Sequence, residues 1–156
     1  MLLIKIWSFY EARILGSQYG CLSTFAIEVM TILLLNKFHD KIKHPFDAFY
    51  KFLEFYSTVE FERDFISIYG IIPYSGDSKL KLNFQHFEDD ELLITPSTML
   101  SLKSELEGLL KHCGVNSQDF RIKFVNIIDP LIESNNLGKS VYQLNATRIK
   151  FSINYF

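Results

Sequence analysis

The chain has 156 residues, 48% of them hydrophobic, with fifteen Phe and eight Tyr but only four Pro and seven Gly. This is enough apolar mass for one domain with its own core, and it excludes a disordered chain. Sixteen Lys and Arg against eighteen Asp and Glu give a formal net charge of −2, which excludes a module that grips duplex nucleic acid through bulk positive charge.

In chain order, the first predicted element is a helix from Leu2 to about Leu15, because Leu3, Trp7, Tyr10 and Ile14 recur at i, i+4, i+7 and i+11. Gly16 and Gly20 bracket its end and the turn that follows. A second helix starts near Ser23-Thr24 and runs to about Phe38; its broad apolar coverage, with Phe25, Val29, Ile32 and Leu33, predicts a central helix. After a polar turn from His39 to His44, Pro45 marks the start of a third helix, Phe46 to about Ser57, with Phe49, Phe52, Leu53 and Tyr56 at core spacing. The segment FISIYG predicts a short strand ending at Gly70, and Pro73 to Glu91 reads as a mobile polar loop. Ser97 is the expected N-cap of a helix to about His112, stopped by Gly114. The apolar run Phe124, Val125, Ile127 and Ile128 is strand-like, and Tyr142 to Phe156 predicts a last helix. The expected fold is a mainly α helical bundle with one or two short strands, in a single domain over residues 1–156.

Cys21 and Cys113 offer no disulfide framework and no CxxC spacing, so a reduced, intracellular location is expected. The stretch MLLIKIWSFYEARI lacks the pattern of a signal peptide. The longest apolar run, Val29 to Leu35, falls far short of the ~20 residues of a membrane helix, so no membrane partner is expected. His39, His44, His86 and His112 show neither HxxxH nor a Cys at ligand spacing, so no metal site is expected.

Three sets of residues carry chemistry. Ser23 and Thr24 open the second helix, where hydroxyls act as plain N-caps or the helix mouth receives phosphate. Phe25 is either core or a base-stacking face. Lys5 either snorkels to water or aims a point charge at phosphate. In KFVNIIDPLIESNNLGKSV, Asp129, Asn135, Asn136 and Gly138 build a polar loop closed by glycine. Such a loop is either a simple Asx turn or a set of fixed donors and acceptors for a nucleobase edge.

LLIKIWSFYEARILGSQYGCLSTFAIEVM, FLEFYSTVEFERDFISIYG and NIIDPLIESNNLGKSV followed by RIKFSINYF resemble, in order, the central domain of DNA polymerase β-like nucleotidyltransferases. These are the non-canonical poly(A) polymerases and terminal uridylyltransferases. The pattern is closest to a plant group with a PAP/OAS1 substrate-binding domain. The resemblance implies that Thr24, beside Ser23, contacts the triphosphate, that Phe25 stacks on the base in place of a tyrosine, and that Lys5 reaches phosphate. It also implies that Asp129, Asn135 and Asn136, on the loop closed by Gly138, recognise base and ribose. Two positions depart from the pattern: Phe9 stands where many relatives carry a second phosphate-binding lysine, and Asn136 replaces a common aspartate.

Catalysis in that family uses a palm in which a Gly-Ser helix start precedes Asp-x-Asp, with Mg²⁺ held by carboxylates. No such pattern occurs here: Gly16-Ser17 has no Asp-x-Asp follower, and Gly76-Asp77-Ser78 lies in the polar loop. The expectation is therefore a substrate-binding domain, truncated at both ends and inactive alone, that binds a nucleoside triphosphate and RNA in a larger parent. Mg²⁺ is expected only in that parent. The alternative is a non-catalytic module that uses its palm-facing surface for a protein partner or for self-association.

Overall fold

The computed structural model describes residues 1–74, 87, 91–106, 108 and 119–155. Among these, five α-helices surround a small mixed sheet: α1 (Leu2–Ile6), α2 (Thr24–Phe38), α3 (Pro45–Ser57), α4 (Pro96–Glu105) and α5 (Gln143–Asn154). The mainly helical expectation holds, and the sheet has three strands rather than one or two: β1 (Asp64–Ile66), β2 (Ile71–Pro73) and β3 (Asn126–Ile127).

The central helix is α2. It buries Ala26, Ile27, Val29, Met30, Thr31, Leu33, Leu34 and Asn36, which at about 100° per residue cover roughly two-thirds of its circumference, while Thr24, Phe25, Glu28, Ile32 and Leu35 line a more open face. Ser23 caps it, its Oγ accepting from the Ala26 amide at 3.0 Å. Helix α3 lies against it through Phe52, Leu53 and Tyr56, and the Tyr56 hydroxyl donates to the Met30 carbonyl at 2.7 Å. Burial pushes that hydroxyl well above the usual phenol range, which keeps it a donor.

The first helix differs from the predicted Leu2–Leu15. After Ile6 the chain widens into a π-helical turn, Trp7–Glu11, in which the Ala12 amide donates to the Trp7 carbonyl at 2.9 Å. The widened turn shifts the register of the apolar stripe. Trp7 stays buried and meets Phe49 edge-on at 5.7 Å, but Tyr10, expected in the core, is 71% exposed. Arg13 then takes a positive φ of 52°, and the chain runs extended so that Leu15 bridges Leu22. Ile14 thus reaches the core from an extended segment rather than from a helix.

The predicted strand to Gly70 ends at Ile66, because Ser67 and Gly70 exchange backbone hydrogen bonds at 2.9 and 3.3 Å and turn the chain into β2. Strand β1 is central: it pairs antiparallel with β2 (Phe65 opposite Ile72) and parallel with β3 (Ile66 opposite Ile127). The N-cap of α4 is Thr95, not Ser97. The Thr95 side chain accepts from the Thr98 amide at 3.2 Å, and Pro96 occupies the first helical position, where its missing N–H costs nothing. His112, Gly114 and most of the expected polar loop lie outside the described residues.

A single buried amide joins these parts. Asn36, near the end of α2, donates to the carbonyls of Ile68 and Ile94 at 2.8 and 2.9 Å and accepts from the Ile94 amide at 2.7 Å. Asn36→Ala would orphan all three backbone groups and is expected to cost roughly 2–4 kcal/mol. Urea unfolding should show this as a lower midpoint with an unchanged slope.

Candidate nucleotide-binding site

Two segments more than a hundred residues apart in sequence meet at the N-terminal end of α2. The first is the turn that feeds the helix. Gly16 (φ 129°) and Gly20 (φ 70°) bracket a 3-10 turn, Ser17–Tyr19, and set the approach of Cys21-Leu22 to Ser23. The second is the exit of the 129–138 loop. Ser140 Oγ donates to the Cys21 carbonyl at 3.0 Å and the Tyr142 amide to the Gly20 carbonyl at 3.1 Å. Asn145 Nδ2 adds bonds to the carbonyls of Tyr19 and Gly20 at 3.0 and 2.8 Å. The Tyr142 ring lies over Gly20, where a Cβ would come within 2.2 Å of it.

At the mouth of α2, Ser23 is committed to capping, whereas Thr24 is exposed and Phe25 keeps 38% of its surface open. Lys5 reaches across from α1 and pairs with Glu28 at 2.5 Å. Glu28 lies four residues after Thr24, on the same face of the helix, so the Lys5 ammonium stands one turn below the Thr24 hydroxyl. Phe9, in the widened turn, is 57% exposed. Burial raises the Cys21 thiol above its ordinary pKa, with the Arg148 guanidinium opposing the shift.

The loop has an inner and an outer layer. Asn136, 2% exposed, forms the inner one. Its Nδ2 donates to the carbonyls of Arg121 and Val125 and to Asn126 Oδ1, at 3.0 to 3.2 Å, and its Oδ1 accepts from the amides of Ile127 and Gly138 at 3.1 and 2.8 Å. Gly138 is needed because a Cβ there would lie 2.2 Å from the Val125 carbonyl oxygen. Asp129 belongs to the same layer: Oδ1 accepts from the amides of Leu131 and Ile132, and Oδ2 from Asn135 Nδ2 at 2.9 Å. Asn135 and Lys139 form the outer layer, joined by a 2.8 Å bond from Lys139 Nζ to Asn135 Oδ1. Outside the loop, Lys103 of α4 pairs with Glu133 at 2.5 Å.

The structure thus gathers Lys5, Ser23, Thr24 and Phe25 at the mouth of α2, and Asp129, Asn135, Asn136 and Gly138 on the loop whose exit is tied to that mouth. Asn126, Ser140, Tyr142 and Asn145 were missed by sequence reasoning. Asn126 had a signal, since a lone amide within an apolar strand must find buried partners. The other three had none, because their bonds reach backbone carbonyls far away in sequence.

Residues 1–156 match the PAP/OAS1 substrate-binding domain. The chain belongs to this family. No curated protein and no solved structure gives a significant match. A PAP/OAS1 substrate-binding domain is of nucleotidyltransferase type, which implies nucleotide or RNA substrates. Among the described residues, no three His, Cys, Asp or Glu side chains gather where they could hold a metal ion, so no step through a metal is derived from these residues. No helix among them is long and apolar enough to cross a membrane.

Two measurements test this geometry. Asn136→Ala should cost about 3 kcal/mol, since it removes five hydrogen bonds, four of them buried. Gly20→Ala should be strongly destabilising through both its positive φ and the Tyr142 ring. In a Tyr142→Ala background its cost should fall by about 1 kcal/mol or more, read as the coupling term of a double-mutant cycle.

Proposed function

We propose that this domain forms the nucleotide-binding wall of an RNA nucleotidyltransferase that extends RNA 3′ ends. The transfer itself would occur on a separate catalytic domain of the parent protein, whose carboxylates would hold Mg²⁺. The observation that carries this reading is the tie between Ser140-Tyr142 and Gly20-Cys21, which sets the loop beside the mouth of α2.

Each residue then has a task. The open N–H groups of the first turn and the Thr24 hydroxyl receive the triphosphate, helped by the positive end of the α2 dipole. Lys5 exchanges Glu28 for a phosphate oxygen. Phe25 offers its exposed face to the base, a contact worth on the order of 1–3 kcal/mol. Asn135 presents the donors and acceptors that read base or ribose, while Asp129, Asn136 and Gly138 hold it in place. Ser23 acts by fixing the first turn. Within the family, the motif NIIDPLIESNNLGKSV supports reading the chain as a plant-type member in an intracellular setting, with residues 1–156 acting as one domain.

A second reading draws support from one observation. Leu2, Ile6, Phe9 and Tyr10 are 73%, 45%, 57% and 71% exposed along the first helical segment. Such a stripe fits the surface that a catalytic domain covers in the parent, and in its absence a protein partner or a second copy.

The isolated chain supplies one wall only, so isothermal titration with each nucleoside triphosphate should show weak binding and no transfer; micromolar affinity would contradict the one-wall reading. In a full-length parent, Asn135→Ala should lower the rate or change nucleotide choice by about tenfold, and Asp129→Ala should do the same through loss of the Asn135 anchor. Unchanged rate and choice in both variants would refute the site.

A further inference from the structure

At the far end of α2 from the nucleotide site, about 22 Å along the helix by its rise per residue, the chain builds a second cleft. It has a volume of about 440 Å³ and lies between the turn after α2 and the first two turns of α3, lined by Lys41, Ile42, Phe46, Asp47, Tyr50 and Lys51. None of these residues belongs to the site described above.

Three observations set the chemistry of this cleft. Residues 37–51 carry four lysines and two aspartates, a formal excess of two positive charges in a chain whose net charge is −2. The aspartate in the cleft is already engaged: Asp47 Oδ2 accepts from the amides of Lys43 and His44 at 3.1 and 2.9 Å, as the capping box of α3. Lys51 pairs with Glu54, but Lys37, Lys41 and Lys43 have no carboxylate partner among the described residues. Lys41 and Lys51 do face the Phe38 ring, at 6.0 and 5.1 Å from its centroid. Lastly, Phe46 and Tyr50, one helical turn apart on α3, are 75% and 68% exposed.

Two open aromatic faces at i, i+4 beside uncommitted ammonium groups match a polyanion that carries flat apolar rings. We infer that this cleft binds a single-stranded segment of RNA, its bases stacking on Phe46 and Tyr50 and its phosphates meeting Lys41 and Lys43. The inference deepens the proposed function and rests on it for the choice of RNA as the polymer. Lysines at the end of α2 also complement its negative dipole end, which accounts for Lys37 and Lys41 but not for Lys43 or the exposed rings. Stacking of this kind tolerates any base, so the cleft would hold the body of the strand rather than select the incoming nucleotide.

The test uses the full chain and a fluorescein-labelled oligouridylate of about fifteen nucleotides, followed by fluorescence anisotropy at low salt. Lys41→Glu with Lys43→Glu should weaken binding at least tenfold and flatten its dependence on salt. Tyr50→Ala should weaken it roughly five- to tenfold with an unchanged melting temperature, since the ring is exposed. Lys123→Glu, at an exposed residue outside both sites, should leave oligonucleotide binding intact, and Phe25→Ala should lower nucleoside triphosphate binding.

The inference is overturned by any of four results. The wild-type chain fails to bind the oligonucleotide; both cleft variants bind within twofold of wild type; polyglutamate of equal charge competes as well as RNA, which would mark a docking surface for acidic peptides; or Phe25→Ala abolishes oligonucleotide binding, which would place the strand at the nucleotide site. Loss of oligonucleotide binding in the cleft variants, with no triphosphate response to Phe25→Ala, would sustain the cleft and refute the nucleotide site alone.

Discussion

The carboxamide of Asn136 is the constraint on which the candidate site depends. Its two N–H bonds are shared among three acceptors, and its oxygen takes two backbone amides, so this one side chain ties the loop to Arg121, to Val125 and to the strand residues Asn126 and Ile127. In a buried setting such a network has no neutral partial form, because losing one member leaves the rest unpaired without water to replace it. The loop is therefore pinned to β3 as a unit. Asn126 extends the same hold to the turn before β1, through its bonds to the backbone of Lys123 and the Phe61 carbonyl.

The second constraint is α2. A helix buried over roughly two-thirds of its circumference and tied at both ends can pass position from one end to the other. Tyr56 fixes its middle through Met30, Asn36 fixes its far end to two loops, and the Gly20 turn with Ser140 and Tyr142 fixes its near end. The candidate nucleotide site and the basic cleft lie at the two ends of this one element. A strand that touched both would meet sites whose spacing the core sets.

Much of the fold was legible in the sequence because it rests on local rules. Ser23 as a cap, Pro45 at a helix start and the core spacing of Phe52, Leu53 and Tyr56 are short-range patterns, and helices α2, α3 and α5 follow them. The first helix was misread because periodicity alone does not reveal a π turn: Trp7 and Ile14 are buried as expected, yet one widened turn carries Tyr10 to the surface. Thr95 took the cap assigned to Ser97 because Pro96 fits the first helical position. Strand β2 was missed because IIP is too short to show alternation and is recruited by the Ser67–Gly70 turn. As for the site, the polar residues of the loop could be named, but not which way each one faces. Nothing in the string Asn135-Asn136 shows that the second amide turns inward and the first outward; that depends on β3 and on the close approach of Gly138 to Val125.

That division of labour bears on what so short a loop would need in order to recognise a ligand. A loop whose polar groups all faced solvent would be free to rearrange, and ordering it on binding would consume much of the contact energy. Here Asp129 and Asn136 satisfy the backbone from inside, and Asp129 holds Asn135, which in turn accepts from Lys139. The same logic applies at the helix mouth, where Ser23 is spent on the cap and leaves Thr24 and Phe25 presented on a fixed first turn. In both segments one polar residue orders the backbone and its neighbour faces outward, so the outer surface is preorganised by the side chains beneath it.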